Sequence, residues 1–183
     1  MKLFFIRFVI FKLGFIFYVL TAISCSSNKV ILKEPISQQL SLIKEGEINF
    51  TFTPQSQIII KQDVAKINSI ATEKGKNLVL KFEYIKKTDK NLADSGYREV
   101  LYIEIPNKKQ SINLSNLNQS DINIWFARFC FCRDYIGFHK ITEGRLQIDL
   151  SAKALKIKSE IKFNNLPQVL NFIDQNISLN KTN

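Results

Sequence analysis

The chain has 183 residues and a net charge of +10, and 45% of its residues are hydrophobic. A chain of this length is typical of one globular domain that can bury a core, and the sequence contains no internal repeat or low-complexity tract. With one His and six Gly, and without a phosphate-binding glycine loop, a G-x-S-x-G elbow or an H-E-x-x-H motif, the sequence predicts no catalytic residue and no cofactor.

The N-terminal segment, residues 1–25, is first basic, then apolar, and ends on small residues before a cysteine. Its only charged residues are Lys2, Arg7 and Lys12, and such positive charges hold an N-terminus on the cytoplasmic side of a bilayer. The apolar run at 13–23 fits a secretory h-region of about 7 to 15 residues and is shorter than the roughly 20 residues of a spanning helix. The segment therefore predicts a signal peptide over residues 1–24.

The end of this segment, Ala22-Ile23-Ser24-Cys25, resembles the lipobox of bacterial lipoprotein signal peptides, with Ala22 where Leu is usual. The resemblance implies cleavage between Ser24 and Cys25 and lipid attachment at Cys25, which would bind the mature chain to a membrane. It also implies a place in the bacterial cell envelope. Because no Asp follows Cys25, the expected location is the outer membrane, with the protein facing the periplasm.

Signal removal changes the charge of the working protein. It takes away three of the 26 basic residues and none of the 16 acidic ones, which lowers the net charge from +10 to about +7. This charge is compatible with an envelope protein or an anionic glycan as partner. The basic residues alternate along predicted strands and do not cluster, so the sequence gives no support for a nucleic-acid surface.

Residues 25–33 are predicted to be a lipidated tether, and 34–183 a single β-rich domain. At the start of this domain, Ile36, Leu40 and Ile43 have helical spacing and predict a short helix over 35–44. A period of two over 47–53 and again over 78–84 predicts strands, separated by a turn at 54–56 and by a segment, 62–74, that fits either a helix or a loop.

The strand predicted over 97–105 is apolar on both faces at 100–103, which indicates a central strand. Glu99 and Glu104 within it are interpreted as solvated surface charges. Alternation over 146–150 and 155–163 predicts a hairpin with one buried and one charged face, and 167–176 is predicted to form a short closing helix that starts at Pro167. Together these elements predict an all-β fold, an antiparallel sandwich or partly open barrel of about eight or nine strands with one or two short helices.

The strongest chemical candidate in the domain is the Cys130-Phe131-Cys132 segment, with His139 downstream. Three interpretations remain open: two small buried thiols, a disulfide that needs a bulge or turn at Phe131 because residues two apart on a strand lie roughly 6.5 to 7 Å apart, or a metal site formed by Cys130, Cys132 and His139. A three-residue turn over 133–135 would place His139 on the face of Phe129, away from the sulfurs, whereas one more loop residue would pair it with Cys130.

The body of the chain, with the stretch DSGYREVLYIEI, the CFC strand and the late alternating hairpin, looks like uncharacterised lipoproteins of Flavobacterium-like bacteria. This resemblance implies the same compartment and brings no activity or site residues. The expected function is therefore a noncatalytic binding or structural module of the envelope. The alternative is a small envelope enzyme or metal-binding module centred on Cys130, Cys132 and His139.

Overall fold

A computed structural model describes residues 36–43, 45–65, 67–88, 95–108, 111–119, 121–132, 135–163 and 167–179. All of these residues belong to one compact unit. The proposed signal peptide, its cleavage site and Cys25 lie outside the described residues, as does the tether. Among the helices in the described ranges, none has the length and apolar character needed to cross a bilayer.

The described residues form ten strands in two antiparallel sheets, so the predicted all-β sandwich is confirmed. The first sheet, sheet A, has six strands in the order β1-β2-β3-β4-β6-β7, and the second, sheet B, has four in the order β10-β9-β8-β5. The strands are β1 (Ile36–Ile43), β2 (Gly46–Gln62), β3 (Asn68–Lys86), β4 (Tyr97–Pro106), β5 (Ser111–Leu114), β6 (Asn123–Cys130), β7 (Gly137–Lys140), β8 (Gly144–Leu150), β9 (Ala154–Ile161) and β10 (Phe172–Ser178).

The main core lies between the two sheets and follows from the period of two along their strands. Sheet A contributes aromatic and aliphatic side chains with almost no exposure, and sheet B contributes mainly Ile and Leu; the largest are Phe50, Phe52, Phe82, Phe126, Leu101, Leu146, Ile148 and Leu155. On β8 and β9 the outward positions are polar or charged and the inward ones buried. The predicted hairpin, with its charged outer face, is therefore confirmed.

The helix predicted over 35–44 is wrong, because β1 occupies this segment and pairs with β2. This strand contains a register shift between Gln39 and Ser41, and such a bulge interrupts the strict period of two by which a strand is recognised in sequence.

The helix predicted over 167–176 is also wrong. Residues 172–178 form β10, which pairs antiparallel with β9, and the only helical turn among the described residues is the short 3-10 segment Leu117–Gln119. The helix was predicted from Val169, Leu170 and Ile173 as its inward side chains. Val169 and Ile173 are four apart, and residues four apart share one face in a helix and also in a strand, so this spacing could not distinguish the two structures.

The turn predicted at 54–56 is instead a bulge within β2, which continues to Gln62. The pairing with β3 shifts between Pro54 and Ser56, and Gln55 has a positive φ of 51°. The segment 62–74, for which a helix or a loop was predicted, is mostly neither, because β2 ends at Gln62 and β3 begins at Asn68. The two strands thus make a long hairpin whose outer half, 57–74, lies beyond the bulge.

This outer half crosses sheet A on the side away from the main core. Asn68 Nδ2 donates a hydrogen bond to the Phe138 carbonyl at 3.3 Å, although β4 and β6 separate β3 from β7 in the sheet. Two intervening strands amount to roughly 14 Å between β3 and β7, so the hairpin must pass over them. Accordingly, side chains on this second face are buried as well: Val79, Val100, Trp125 and Ala127.

Candidate functional site

Cys130 and Cys132 form a disulfide in the structure, with Cα atoms 5.2 Å apart. This separation lies within the normal range for disulfides. The two Cα atoms come this close because β6 ends at Cys130 and the chain bends at Phe131. This bend is the turn at Phe131 that the disulfide interpretation required. Both cysteines are only partly buried, so the structure does not have the two buried thiols of the first interpretation.

His139 does not join the two sulfurs. It lies opposite Phe126 on β6, roughly 13 Å along the strand from Cys130. Its ring stacks on Phe163 at a centroid distance of 4.5 Å. No group of three or more metal-ligating side chains is found in the part of the chain that the structure describes, so the Cys130, Cys132 and His139 site is not assembled.

The register of β7 also corrects both placements considered for His139. Gly137 pairs with Arg128, so the connection between β6 and β7 is longer than either placement assumed. His139 therefore projects on the same side of sheet A as Phe126, towards sheet B, and not with Phe129 on the second face. Its Nε2 atom is buried without a hydrogen-bond partner among the described residues.

A cleft of about 520 Å³ opens beside the disulfide at the end of sheet A. The beginning of β4 and the ends of β3 and β6 form its walls. Among the described residues that line it none is Asp or Glu; these residues are Ile85, Lys86, Thr88, Gly96, Tyr97, Arg98, Phe129, Cys130 and Phe131. The Arg98 guanidinium lies 4.4 Å from the centre of the Phe129 ring, a cation–π geometry. The cleft thus combines an aromatic wall with two cations.

Both cations of the cleft already have carboxylate neighbours. Arg98 pairs with Glu83 at 3.3 Å and Lys86 pairs with Glu45 at 3.5 Å. The Lys86–Glu45 pair is substantially exposed, and an exposed ion pair contributes only about 0 to 1 kcal/mol. A ligand carboxylate or another anion could therefore replace Glu45 at little cost. Glu83 is 17% exposed and also pairs with Lys81 at 2.8 Å, so Arg98 is held more firmly.

One lining residue of the cleft, Tyr97, belongs to a cluster of polar side chains that also contains Glu99 and Arg128. Tyr97 donates its hydroxyl hydrogen bond to Glu99, which is completely buried and lies opposite Arg128 in the sheet. Burial, followed by the hydrogen bond to Glu99, raises the pKa of Tyr97 far above its ordinary value of 10.0. Tyr97 is consequently a neutral hydrogen-bond donor at physiological pH and not a base.

The interpretation of Glu99 and Glu104 as solvated charges is wrong. Glu99 has no exposed surface and Glu104 has 6%, and the latter accepts a hydrogen bond from Asn77 Nδ2 at 2.6 Å. Their position within a strand already predicted to be apolar on both faces was the signal that could have identified them, because a carboxylate in a central strand must find buried partners.

Exposed apolar side chains concentrate around the two segments that meet at β7. We call this surface the tip patch and define it as Val64 and Ile67 at the turn of the long hairpin and Phe131, Tyr135 and Ile136 in the β6–β7 connection. The two segments are neighbours, since a Cβ added at Gly137 would lie 3.5 Å from Ile67. Phe131, at the bend of the disulfide turn, is 82% exposed.

Comparison with known proteins gave no match to a protein-family model, to a curated protein or to a solved structure.

Proposed function

We propose that this chain is a bacterial envelope lipoprotein, anchored through Cys25, whose β-sandwich is a noncatalytic module that binds an envelope protein through the tip patch. The location proposed is the outer membrane, with the domain facing the periplasm. The anchor rests on the lipobox resemblance of Ala22-Ile23-Ser24-Cys25. One lipid chain gives only reversible attachment, whereas two or more hold a protein stably.

The observation that carries the binding role is the exposure of Phe131. A disulfide turn that packed against its own domain would bury an aromatic side chain, yet here the bend presents Phe131 to solvent at 82% exposure. Val64, in the neighbouring hairpin turn, is fully exposed. Exposed apolar side chains on neighbouring segments mark interaction sites in soluble domains.

The chemistry around the patch favours a protein partner that has acidic groups beside an apolar surface. Lys86 and Arg98 line the adjoining cleft, and none of its other described lining residues is charged. An acidic side chain of the partner could form an ion pair with Lys86 in place of Glu45, while apolar side chains of the partner cover Phe131. Apolar contacts of this type, surrounded by exchangeable charges, are typical of protein interfaces.

The anchor is tested with a Cys25→Ala variant compared with a Ser26→Ala control. Membrane fractionation and metabolic labelling with a radioactive fatty acid should show loss of lipid and of membrane attachment only in Cys25→Ala. A processed Cys25→Ala protein that stays in the membrane fraction would refute the anchor.

The binding role is tested separately with a photoreactive phenylalanine analogue at position 131, in cells that express the full chain. The matched control places the same analogue at Asn113, which is exposed on the far edge of sheet B. We expect a discrete protein adduct from position 131, weakened by Val64→Ser, and none from 113. Equal adducts from both positions, or none from 131, would exclude the tip patch as the binding surface.

A further inference from the structure

Strand β10 is the outermost described strand at one edge of sheet B, and the direction of its hydrogen bonds can be read from its ends. The Ile161 amide donates to the Asn171 carbonyl at 2.9 Å, and the Leu179 amide donates to the Lys153 carbonyl at 2.7 Å. Hydrogen-bonded pairs recur at every second residue of an antiparallel ladder. The odd-numbered residues of β10 therefore bond to β9, and the backbone groups of Phe172, Asp174 and Asn176 point away from it.

This edge lacks the usual devices against pairing with another strand. In the described part of the chain no strand lies on the outer side of β10. Its register with β9 continues over seven residues without a bulge. It contains no Lys and no Pro, the residues with which natural edges are commonly protected. Its one charge, Asp174, pairs with Lys158 of the neighbouring strand at 3.7 Å.

We propose that β10 pairs with β10 of a second copy of this chain, antiparallel about a twofold axis at Gln175. In this register Asp174 lies opposite Asn176 of the partner subunit, and the same pair recurs on the other side of the axis. The outward amides and carbonyls of both residues exchange hydrogen bonds, and the two sheets join into one of eight strands. Phe172, which is 54% exposed, lies opposite Ser178 of the partner subunit and gains cover there.

The register is selected by charge and by length. A shift that centres the axis on Asp174 would place two carboxylates opposite each other, which is unfavourable on one sheet face. The axis at Gln175 avoids this contact and uses all seven residues of the strand. The contact is smaller than a standard interface of roughly 1,600 Å², so we expect a weak, concentration-dependent dimer.

Two substitutions at one exposed position test the register with opposite expected results. Asn176→Asp would place a carboxylate opposite Asp174 of the partner subunit twice, and should weaken dimerisation about 2- to 30-fold. Asn176→Lys would place an ammonium there instead and should strengthen it by a similar factor. Asn113→Asp and Asn113→Lys, on the exposed edge strand β5 of the same sheet, are the matched controls and should leave the dimer unchanged.

The measurement is sedimentation equilibrium of the full mature chain in density-matched detergent, with micelles in excess over protein. Thermal unfolding of each variant verifies that the fold is retained. A wild-type chain that is monomeric at its highest soluble concentration would overturn the proposal. So would a dimer that Asn176→Lys weakens, or one that responds equally to substitutions at Asn176 and Asn113.

Discussion

The Glu99 carboxylate of sheet A accepts the amide hydrogen of Leu170, which precedes sheet B strand β10, with a donor–acceptor distance of 2.8 Å. The Val169 amide also donates to both oxygens of Glu99, at 3.0 and 2.9 Å. One fully buried side chain therefore connects the two sheets. The segment before β10, which the sequence predicted as a helix, is positioned by this carboxylate.

Replacement of Glu99 should therefore destabilise the sandwich more than replacement of an exposed carboxylate. Glu99→Gln exchanges one acceptor oxygen for a donor that faces the two amides, and we expect a loss of about 1.5 to 3 kcal/mol in the free energy of unfolding. Glu99→Ala should cost about 3 to 5 kcal/mol. Urea unfolding measures the change, with the exposed Glu160→Gln as control. Equal midpoints for Glu99→Gln and Glu160→Gln would contradict this role.

The stability of the domain should decrease in alkaline solution, in part through Tyr97. Burial and the Glu99 hydrogen bond raise the pKa of Tyr97 in the folded state above the ordinary value of 10.0. The unfolded chain therefore loses this proton first as the pH rises, and the folded state binds more protons than the unfolded state. The free energy of unfolding then falls with increasing pH above about pH 10, and below that pH this contribution is constant.

Tyr97→Phe removes this titration and should flatten the alkaline decrease relative to wild type, while lowering stability at neutral pH through loss of the hydrogen bond. The check is a series of urea unfolding curves from pH 8 to 11. Tyr84 and Tyr102, whose pKa values are also raised, should still cause some alkaline decrease in stability in the variant. An unchanged slope in Tyr97→Phe would show that Tyr97 does not contribute.

The Cys130–Cys132 disulfide should act locally and contribute little to global stability. It closes a loop with a sequence separation of only two, and the chain-entropy account gives a stabilisation on the order of 1.5 kcal/mol for so short a loop. A Cys130→Ser/Cys132→Ser double variant should lose about this amount, as measured by thermal unfolding.

Thiol titration of the denatured chain, before and after reduction, provides the direct measurement of the bond. We expect two thiols to appear only after reduction. Two reactive thiols without reductant would show that the cysteines are free in the isolated protein, and the interpretation as a free pair would then replace the disulfide.

Ser159 is a polar side chain at a core position of β9, and its removal should be stabilising. Its Oγ is buried without a hydrogen-bond partner among the described residues, and it lies opposite Leu146 and Ile173. An unsatisfied buried hydroxyl costs about 1 to 3 kcal/mol, so Ser159→Ala should raise the melting temperature.

The matched control for this substitution is Ser151→Ala, with the opposite sign. Ser151 Oγ accepts the Ala154 amide at 3.0 Å in the β8–β9 turn, and its loss should cost about 0.5 to 1.5 kcal/mol. A decrease in melting temperature for Ser159→Ala would mean that its hydroxyl has a stabilising partner.

The sequence predicted those parts of the fold in which a strand has one buried and one polar face. The alternation in β8 and β9 gave the hairpin, and the two-sided apolar stretch at Val100 to Ile103 gave a central strand, which β3 and β6 indeed flank. It failed at β1 and β10. A bulge interrupts the pattern in β1, and the spacing of Val169 and Ile173, on which the helix was predicted, is common to helix and strand.

The candidate site was only partly accessible from sequence. The bend at Phe131 that brings the cysteines together could be stated as a requirement but not predicted. The exposure of Phe131 and the approach of Ile67 to Gly137 depend on a hairpin that crosses two strands. A contact between residues that are 70 positions apart in the sequence, such as Asn68 and Phe138, produces no periodic pattern in the sequence.

What the sequence by itself determined was the local chemistry and the class of the fold, because side-chain period and composition act through near neighbours. These include the lipobox resemblance at Cys25, which remains a prediction, and the all-β sandwich. Tertiary structure alone decided which groups Glu99 binds, that His139 lies apart from the cysteines and that the side chains of the tip patch are exposed. Each of these depends on strand register and on which elements cover a given face, and both are set by long-range packing.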